Sequence, residues 1–197
     1  MKRHLILILM AAGNAKRFGK NKLQAEIDGK PMYRHILEHL GRYKTAYPED
    51  CDLVVVSQFR NILEETEHLG GKAIENDRPE DGISRTIRLS LEGLPAKDDE
   101  AAVFFTADQP YLTYDTVERF LLQAAVEEKG ILSARSGLGM GNPVSFDKKY
   151  YGELRALKDD EGGRLVALAH ENDTAWFEAD DLEMRDIDRP GDVVAKA

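Results

Sequence analysis

Runs of apolar residues alternate with helical patterns over the first two-thirds of the chain. The runs at residues 5–9, 53–56 and 101–105 are uninterrupted, which is typical of parallel strands buried on both faces. Shorter runs at 73–74 and 131–132 predict two further strands. Strands separated by helices of this length favour right-handed crossovers. The pattern therefore predicts an α/β fold with a mostly parallel sheet in three layers, of Rossmann-like type.

Two of the predicted helices have a clear apolar face. Ile36, Leu37 and Leu40 mark a helix, expected to be short, after Pro31, a residue that fits the first turn of a helix. The other helix follows an N-cap candidate at Thr113. Its apolar residues recur at positions i, i+3, i+4, i+7 and i+8, and they are Val117, Phe120, Leu121, Ala124 and Ala125.

The regular alternation weakens after about residue 130. The glycine-rich segment 136–143 is predicted to be a loop, and residues 174–178 a short strand with Trp176 in the core. Gly137, Gly139 and Gly141 could form a second phosphate loop, but a substrate-facing loop or a simple turn is favoured because no helix obviously follows. With no repeat or linker in view, we predict one domain over residues 1–197.

Composition narrows the choice of partners and compartment. The net charge is −9, which argues against a nucleic-acid partner because no extended basic face is available. The apolar stretch after Lys2 and Arg3 is too short to cross a membrane, and we interpret it as a core strand. The single cysteine, Cys51, cannot form an intramolecular disulfide, so we expect a structural thiol and a cytoplasmic protein.

Residues 10–22 have the properties of a phosphate-binding loop. They follow the first predicted strand, and Gly13 and Gly19 allow the close backbone approach that amide-to-phosphate contacts need. The spacing matches neither the dinucleotide fingerprint nor a Walker loop, and a solvated charge run is the alternative interpretation. The cations fall within seven residues of each other, and they are Lys16, Arg17, Lys20 and Lys22.

Asp108 directly follows the third long apolar run. Ligands of open parallel sheets bind beyond the carboxyl ends of the strands, where the cationic loop is also expected. A carboxylate that faces a phosphate loop suits a magnesium ion bound to a nucleotide phosphate. The alternative is that Asp108 only begins the turn that precedes Pro110.

Short motifs in order along the chain resemble the molybdopterin nucleotidyltransferases, a branch of the GT-A-like nucleotide-diphospho-sugar transferase superfamily. The first comprises Ala11, Ala12 and Gly13 with Arg17 and Lys22. The others span almost the whole sequence, at residues 30–32, 82–87, 108–110, 141–144, 162–165 and 186–192. The resemblance implies a GT-A-like fold, with about 1–130 binding the nucleotide and about 131–197 binding the acceptor.

Within that group, the Ala-Ala-Gly sequence together with Asp108, Gln109 and Pro110 resembles the molybdenum cofactor cytidylyltransferases. This resemblance implies transfer of CMP from CTP to molybdenum-bound molybdopterin, with release of pyrophosphate and with Mg²⁺ (or Mn²⁺) as cofactor. It also implies a molybdoenzyme or chaperone as a possible partner. A guanylyltransferase, a nucleotidyltransferase for a sugar or alditol phosphate, and a non-catalytic carrier of molybdopterin or nucleotide stay open.

The resemblance also implies roles for individual residues. Arg17, Lys22 and Asp108 would be catalytic, with Asp108 and Asp188 (or Asp186) as metal ligands. Both reactants are anionic, so positioning and charge neutralisation are expected to carry the catalysis without a general base. The implied nucleotide contacts are Ala11, Ala12, Gly13, Arg17, Lys22, Gly82, Thr86 and Gln109.

Two further features bear on the function. Asp159, Asp160 and Glu161 stand where the family usually has Gly-Asp, so the acceptor pocket is expected to differ. His35 and His39, with Glu38 between them, match the inverted zinc-peptidase motif formally. We expect these histidines to be solvated rather than bound to zinc, because neighbouring apolar residues already supply the buried face of the helix.

Overall fold

The computed structural model describes residues 2–13, 21–92 and 99–194. Its strands are β1 (His4–Ala11), β2 (Glu26–Ile27), β3 (Lys30–Pro31), β4 (Cys51–Ser57), β5 (Lys72–Glu75), β6 (Glu100–Thr106), β7 (Ile131–Ser136), β8 (Gly139–Asp147) and β9 (Thr174–Glu178). Its α-helices are α1 (Met32–Ala46), α2 (Arg60–His68), α3 (Ile83–Leu91), α4 (Tyr114–Ala124), α5 (Tyr151–Ala156) and α6 (Gly163–Ala169).

Seven of these strands form one sheet in the order β5-β4-β1-β6-β8-β7-β9. The pairs β5–β4, β4–β1, β1–β6 and β7–β9 are parallel, and β8 runs antiparallel to both of its neighbours. Leu7 of β1 lies between Leu53 of β4 and Val103 of β6. The predicted α/β fold with a mostly parallel sheet is confirmed, as are the two weaker strand predictions.

Helices cover both faces of the sheet. One face packs on α1, α2 and α4 through Ile36, Ile62 and Phe120, and the other packs on α3, α5 and α6 through Ile87 and Leu154. Because successive side chains of a strand point to opposite faces, a central strand between two helical layers must be apolar at every position. This is why the long apolar runs predicted the central strands correctly. None of the described helices combines the length and the hydropathy that a membrane span needs.

Four local predictions are wrong. The glycine-rich segment 136–143 belongs mostly to the β7–β8 hairpin, because pairing between β7 and β8 gives its backbone groups partners. Helix α1 is not short but spans 15 residues. Trp176 is only half-buried, with the Arg135 guanidinium over its ring, and its neighbour Phe177 lies in the core instead.

The fourth wrong prediction concerns His35, which is buried rather than solvated. Its Nε2 atom lies 2.9 Å from the carbonyl oxygen of Ile27, so the ring joins α1 to β2. Burial lowers the pKa of His35. Among the described residues, no three His, Cys, Asp or Glu side chains come together as a metal-binding group, and the zinc-peptidase interpretation therefore has no support.

Candidate active site

A cleft of about 480 Å³ opens at the carboxyl ends of β1 and β6. The strand register explains its position, because Met10 pairs with Thr106 and the Ala107 N–H donates to the Met10 carbonyl over 3.2 Å. The chain therefore leaves both strands at the same level, and the two following turns face each other. The predicted site residues that line this cleft are Ala12, Gly13, Lys22, Gly82, Thr86, Asp108 and Asp188.

Lys22 lies between two carboxylates in this cleft. Its Nζ donates to Asp108 Oδ2 and to Asp188 Oδ1, each over 2.8 Å. The Lys22 side chain is only 10% exposed, whereas Asp188 is 59% exposed. Burial alone would lower the pKa of Lys22, but its interactions with Asp108 and Asp188 outweigh that effect and raise the pKa. Lys22 is thus held as a cation.

The backbone before and after these residues fixes their positions. Asn21 caps a single turn of 3₁₀ helix, Lys22–Gln24, by accepting from the Leu23 N–H over 3.1 Å. On the other side, the Ile187 N–H donates to the Asp108 carbonyl over 2.9 Å. This bond holds the C-terminal segment, residues 180–194, beside the turn that follows β6. It brings Asp188 close to Asp108, which lies 80 positions earlier in the chain.

A second wall of the cleft is the turn at Gly82, which precedes α3. Gly82 has a φ of +84°, and a Cβ atom there would lie 2.2 Å from the carbonyl oxygen of Asp159. Only glycine fits such a close backbone approach. The Ser84 N–H donates to the same Asp159 carbonyl over 3.0 Å. Residues 159–160 therefore pack on the start of α3.

Thr86 lies on the side of α3 that faces this cleft, and a buried asparagine holds it. Asn76 Nδ2 donates to Thr86 Oγ1 over 3.2 Å, and its Oδ1 accepts from Arg85 Nε over 3.0 Å. Sequence reasoning missed Asn76, although a polar residue directly after β5, at the carboxyl edge of the sheet, was a usable signal. It also missed Glu80 and Asp160 as residues that line the cleft.

Two predicted nucleotide contacts need correction. Ala11 is fully buried in β1, and its carbonyl accepts from Ser57 Oγ over 2.9 Å. Gln109 is also buried, and its Nε2 donates to the Met184 carbonyl over 3.2 Å. Neither residue lines the cleft, because both are used in internal packing. Arg17 lies outside the described residues, so its predicted role stays a prediction.

The carboxylates of this cleft suit a divalent metal ion. Asp108 Oδ1 is buried and has no hydrogen-bond partner among the described residues, while its Oδ2 and an Asp188 oxygen already share one cation. Magnesium is commonly held by one or two carboxylates together with substrate phosphates. Asp108 and Asp188 therefore fit such an ion, and Asp186 is less suited because it lines a different cavity.

The pKa of Asp186 is raised to about 6, first by desolvation and then by the negative charge of Asp108. Its carboxylate also accepts a hydrogen bond from the Gln109 side chain. Asp186 therefore adds a third carboxyl group close to Asp108 and Asp188, outside the cleft that those two residues line.

A second cavity of about 270 Å³ adjoins the cleft, and Met10 and Ile83 line both. Its walls are largely apolar and come from β6, β8, α3 and α5, with Phe104, Val144 and Leu154 among them. Polar groups also line it, and they include Ser133, Asn142, Arg164 and Asp186. Its size and composition suit a small ring system rather than a phosphate chain.

Comparisons with known proteins identify the family of this chain. The model of the MobA-like NTP transferase domain matches residues 7–174. Purine catabolism protein PucB of Bacillus subtilis (strain 168) is 27% identical over 207 residues, which cover 95% of this chain and 93% of PucB. The 8-amino-3,8-dideoxy-manno-octulosonate cytidylyltransferase of Shewanella sp. (strain W3-18-1) is 28% identical over 120 residues, which cover 60% of this chain and 46% of that enzyme.

Solved structures share the fold. The crystal structure of Rv0371c from Mycobacterium tuberculosis H37Rv superposes with a TM-score of 0.75 at 17% identity, covering 98% of this chain and 96% of that one. A manganese complex of Rv0371c superposes with a TM-score of 0.70 at 17% identity, covering 90% of this chain and 89% of that one. At this identity the likeness shows that the fold is shared.

Proposed function

The chain belongs to the MobA-like NTP transferase domain family and is a nucleotidyltransferase for a small molecule, and we propose that it transfers CMP from CTP to molybdenum-bound molybdopterin. An oxygen of the acceptor's phosphate attacks the α-phosphorus of CTP. The bond from that phosphorus to the bridging oxygen of the β-phosphate breaks, and pyrophosphate leaves. The observation that carries the proposal is the placement of Lys22 between Asp108 and Asp188.

The described residues support charge neutralisation as the main source of catalysis. Lys22 can donate to a phosphate oxygen as a compact positive charge, and we propose that Arg17 holds two phosphate oxygens at once. Asp108 and Asp188 would hold Mg²⁺ or Mn²⁺, an ion that withdraws negative charge from the triphosphate when it is bound. The acceptor phosphate is already ionised, so the reaction needs no general base.

We propose that Ala12 and Gly13 contact the nucleotide through their backbone, because both line the cleft. The Ala12 carbonyl accepts from Gln58 Nε2 over 2.9 Å, which fixes the chain as it leaves β1. Gly13 is exposed, and no atom of the described residues lies within 4 Å of the position that a Cβ would take there. We propose that Gly82 and Thr86 form the opposite wall of the nucleotide site, because they line the same cleft.

The second cavity is the proposed site for the ring of the acceptor. It lies against the cleft through Met10 and Ile83, so an acceptor bound there can extend its phosphate toward the CTP. Many of its lining residues come from the part after residue 130, and on this ground we propose that about 131–197 binds the acceptor and about 1–130 the nucleotide. Residues 159–161 differ from the usual Gly-Asp of the family, and one of them, Asp160, lines the cleft beside the proposed acceptor site.

A single-turnover assay tests the proposal. Each of the four nucleoside triphosphates is mixed with the enzyme, Mg²⁺ and molybdenum-bound molybdopterin, and pyrophosphate release is followed. Of the four nucleoside triphosphates, we expect only CTP to give rapid release of pyrophosphate. A preference for GTP or UTP would overturn the choice of base, while release of pyrophosphate only with a sugar phosphate or alditol phosphate would overturn the acceptor.

A cytidylyltransferase for a sugar acid is the second candidate, since one relative bears that name. The match spans about half the length of that relative, so a sugar acid enters here only as an acceptor to be tested. Adding 3-deoxy-manno-octulosonate or its 8-amino form to the same assay separates the two candidates. Magnesium-dependent nucleotide binding without turnover on any acceptor would instead favour a non-catalytic carrier.

A further inference from the structure

We infer that Gln109 is a positioning residue that holds the second metal ligand against the first. The inference rests on the proposed function, because it takes Asp108 and Asp188 as the metal-binding pair. It assigns to Gln109 a role different from the nucleotide contact expected from the sequence. Gln109 follows Asp108 directly, is 2% exposed and does not line the cleft.

The two carboxylates come from distant parts of the chain and repel each other. Asp108 lies in the turn after β6, whereas Asp188 lies in the C-terminal segment, taken here as residues 180–194. Asp186 adds a third carboxyl group close to Asp108. Specific contacts are therefore needed to keep this segment beside the turn.

Gln109 supplies two of those contacts from one side-chain amide. Its Nε2 donates to the Met184 carbonyl over 3.2 Å, and the amide also donates to the carboxylate of Asp186. The amide is neutral, so it satisfies both acceptors without competing with Lys22 for the site. Residues that hydrogen-bond around a metal ligand typically change metal affinity 10- to 100-fold when they are mutated.

Other bonds hold the same segment but act further from the ligands. Glu183 accepts from the Thr113 N–H over 3.1 Å and from Thr116 Oγ1 over 2.7 Å. Asp192 accepts from the backbone N–H of Asp188 over 3.0 Å and shapes the turn that presents it. Gln109 is the member of this set that sits immediately beside both Asp108 and the segment leading to Asp188.

The test is the affinity for Mn²⁺, measured by electron paramagnetic resonance in the presence of CTP. Gln109→Met keeps the length of the side chain and removes its donors, and we expect the Kd for Mn²⁺ to rise about tenfold or more. At saturating metal, kcat should recover to near the wild-type value, because Gln109 does not touch the substrates. Gln123→Met, at a half-buried position of α4, is the matched control and should leave the Kd unchanged.

A rescue experiment separates positioning from a general loss of stability. Gln109→Glu places a carboxylate beside Asp186 and should weaken Mn²⁺ binding more than Gln109→Met does. In the double variant with Asp186→Asn, the new asparagine amide can donate to the new glutamate carboxylate. The hydrogen bond is then restored with donor and acceptor exchanged, and we expect part of the Mn²⁺ affinity to return. Wild-type affinity in Gln109→Met, or no recovery in the double variant, would overturn the inference. Absence of Mn²⁺ binding in the wild-type protein would instead overturn the proposed metal site.

Discussion

The ammonium group of Lys22 lies 2.8 Å from an Asp108 carboxylate oxygen across 86 positions of sequence. The same nitrogen contacts Asp188 at an equal distance. A cation of the protein therefore occupies the space between the two carboxylates that we propose for a divalent ion. If metal and nucleotide bind as we propose, Lys22 exchanges its carboxylate partners for a phosphate oxygen, so its loss should change the affinity for both.

Replacing Lys22 by methionine should have opposite effects on metal and nucleotide. Without nucleotide, we expect Mn²⁺ to bind more tightly, because the competing ammonium is gone. With CTP, kcat/KM should fall about 10- to 100-fold, the loss expected for one hydrogen bond to a charged group. Calorimetric titration of Mn²⁺ and steady-state kinetics measure the two effects. Lys30→Met, which removes an ion pair with Glu38 on α1, is the control, and equal behaviour of the two variants would disprove this exchange.

Asp108→Asn should abolish most turnover while leaving the protein folded. Loss of a metal ligand removes several kcal/mol of transition-state stabilisation, which corresponds to about 100-fold or more in kcat. Lys22 keeps Asp188 as a partner, so the unfolding midpoint in urea should move little. Asp115→Asn, at an exposed ion pair on α4, is the control for both measurements. Full activity in Asp108→Asn would remove this residue from the metal site.

The central sheet was predictable because burial on both faces leaves a simple pattern. Residues 5–9, 53–56 and 101–105 have no polar interruption, and all three lie in central strands. The hairpin at 136–147 was not predictable in the same way. Its glycines carry no apolar signal, and its strands exist because they pair with β6 and with each other.

The candidate site was predictable only in part. Asp108 was predictable because it follows the apolar run at 101–105. Lys22 was predictable because it belongs to the cationic segment that follows the apolar run at 5–9. The approach of Asp188 depends on the Ile187–Asp108 backbone bond and on Gln109. Such long-range contacts leave no local pattern in the sequence. This is why the sequence predicted a nucleotide contact for Gln109 and gave no sign of its hydrogen bond to the Met184 carbonyl.

Stability should decrease below neutral pH through His35. Burial lowers the pKa of this histidine below its ordinary 6.5, so the folded state keeps the ring neutral where the unfolded chain takes up a proton. The unfolded state then binds more protons, and the free energy of unfolding falls as pH decreases below about 6.5, by at most about 1.4 kcal/mol per pH unit.

Urea unfolding at pH 7.5 and pH 5.5 measures this effect of His35. The charges that act on it are Lys30, which disfavours protonation, and Asp28 and Glu38, which favour it. His35→Gln keeps a donor for the Ile27 carbonyl and removes the titrating ring. We expect the difference between the two pH values to be smaller in this variant. An unchanged difference would show that His35 does not contribute to the pH dependence.

Gly82→Ala should damage the cleft, whereas an equivalent change elsewhere should not. The new methyl group would meet the Asp159 carbonyl at 2.2 Å, in a backbone conformation that alanine rarely adopts. We expect the free energy of unfolding to fall by about 1–3 kcal/mol and the KM for CTP to rise, because the start of α3 must move away from residue 159.

Gly152→Ala is the matched control, since that glycine lies in α5 with open space around it among the described residues. Alanine there should stabilise the protein by up to about 1 kcal/mol. Urea denaturation and CTP kinetics on both variants decide the matter, and a Gly82→Ala protein as stable and active as wild type would show that this turn does not shape the nucleotide site.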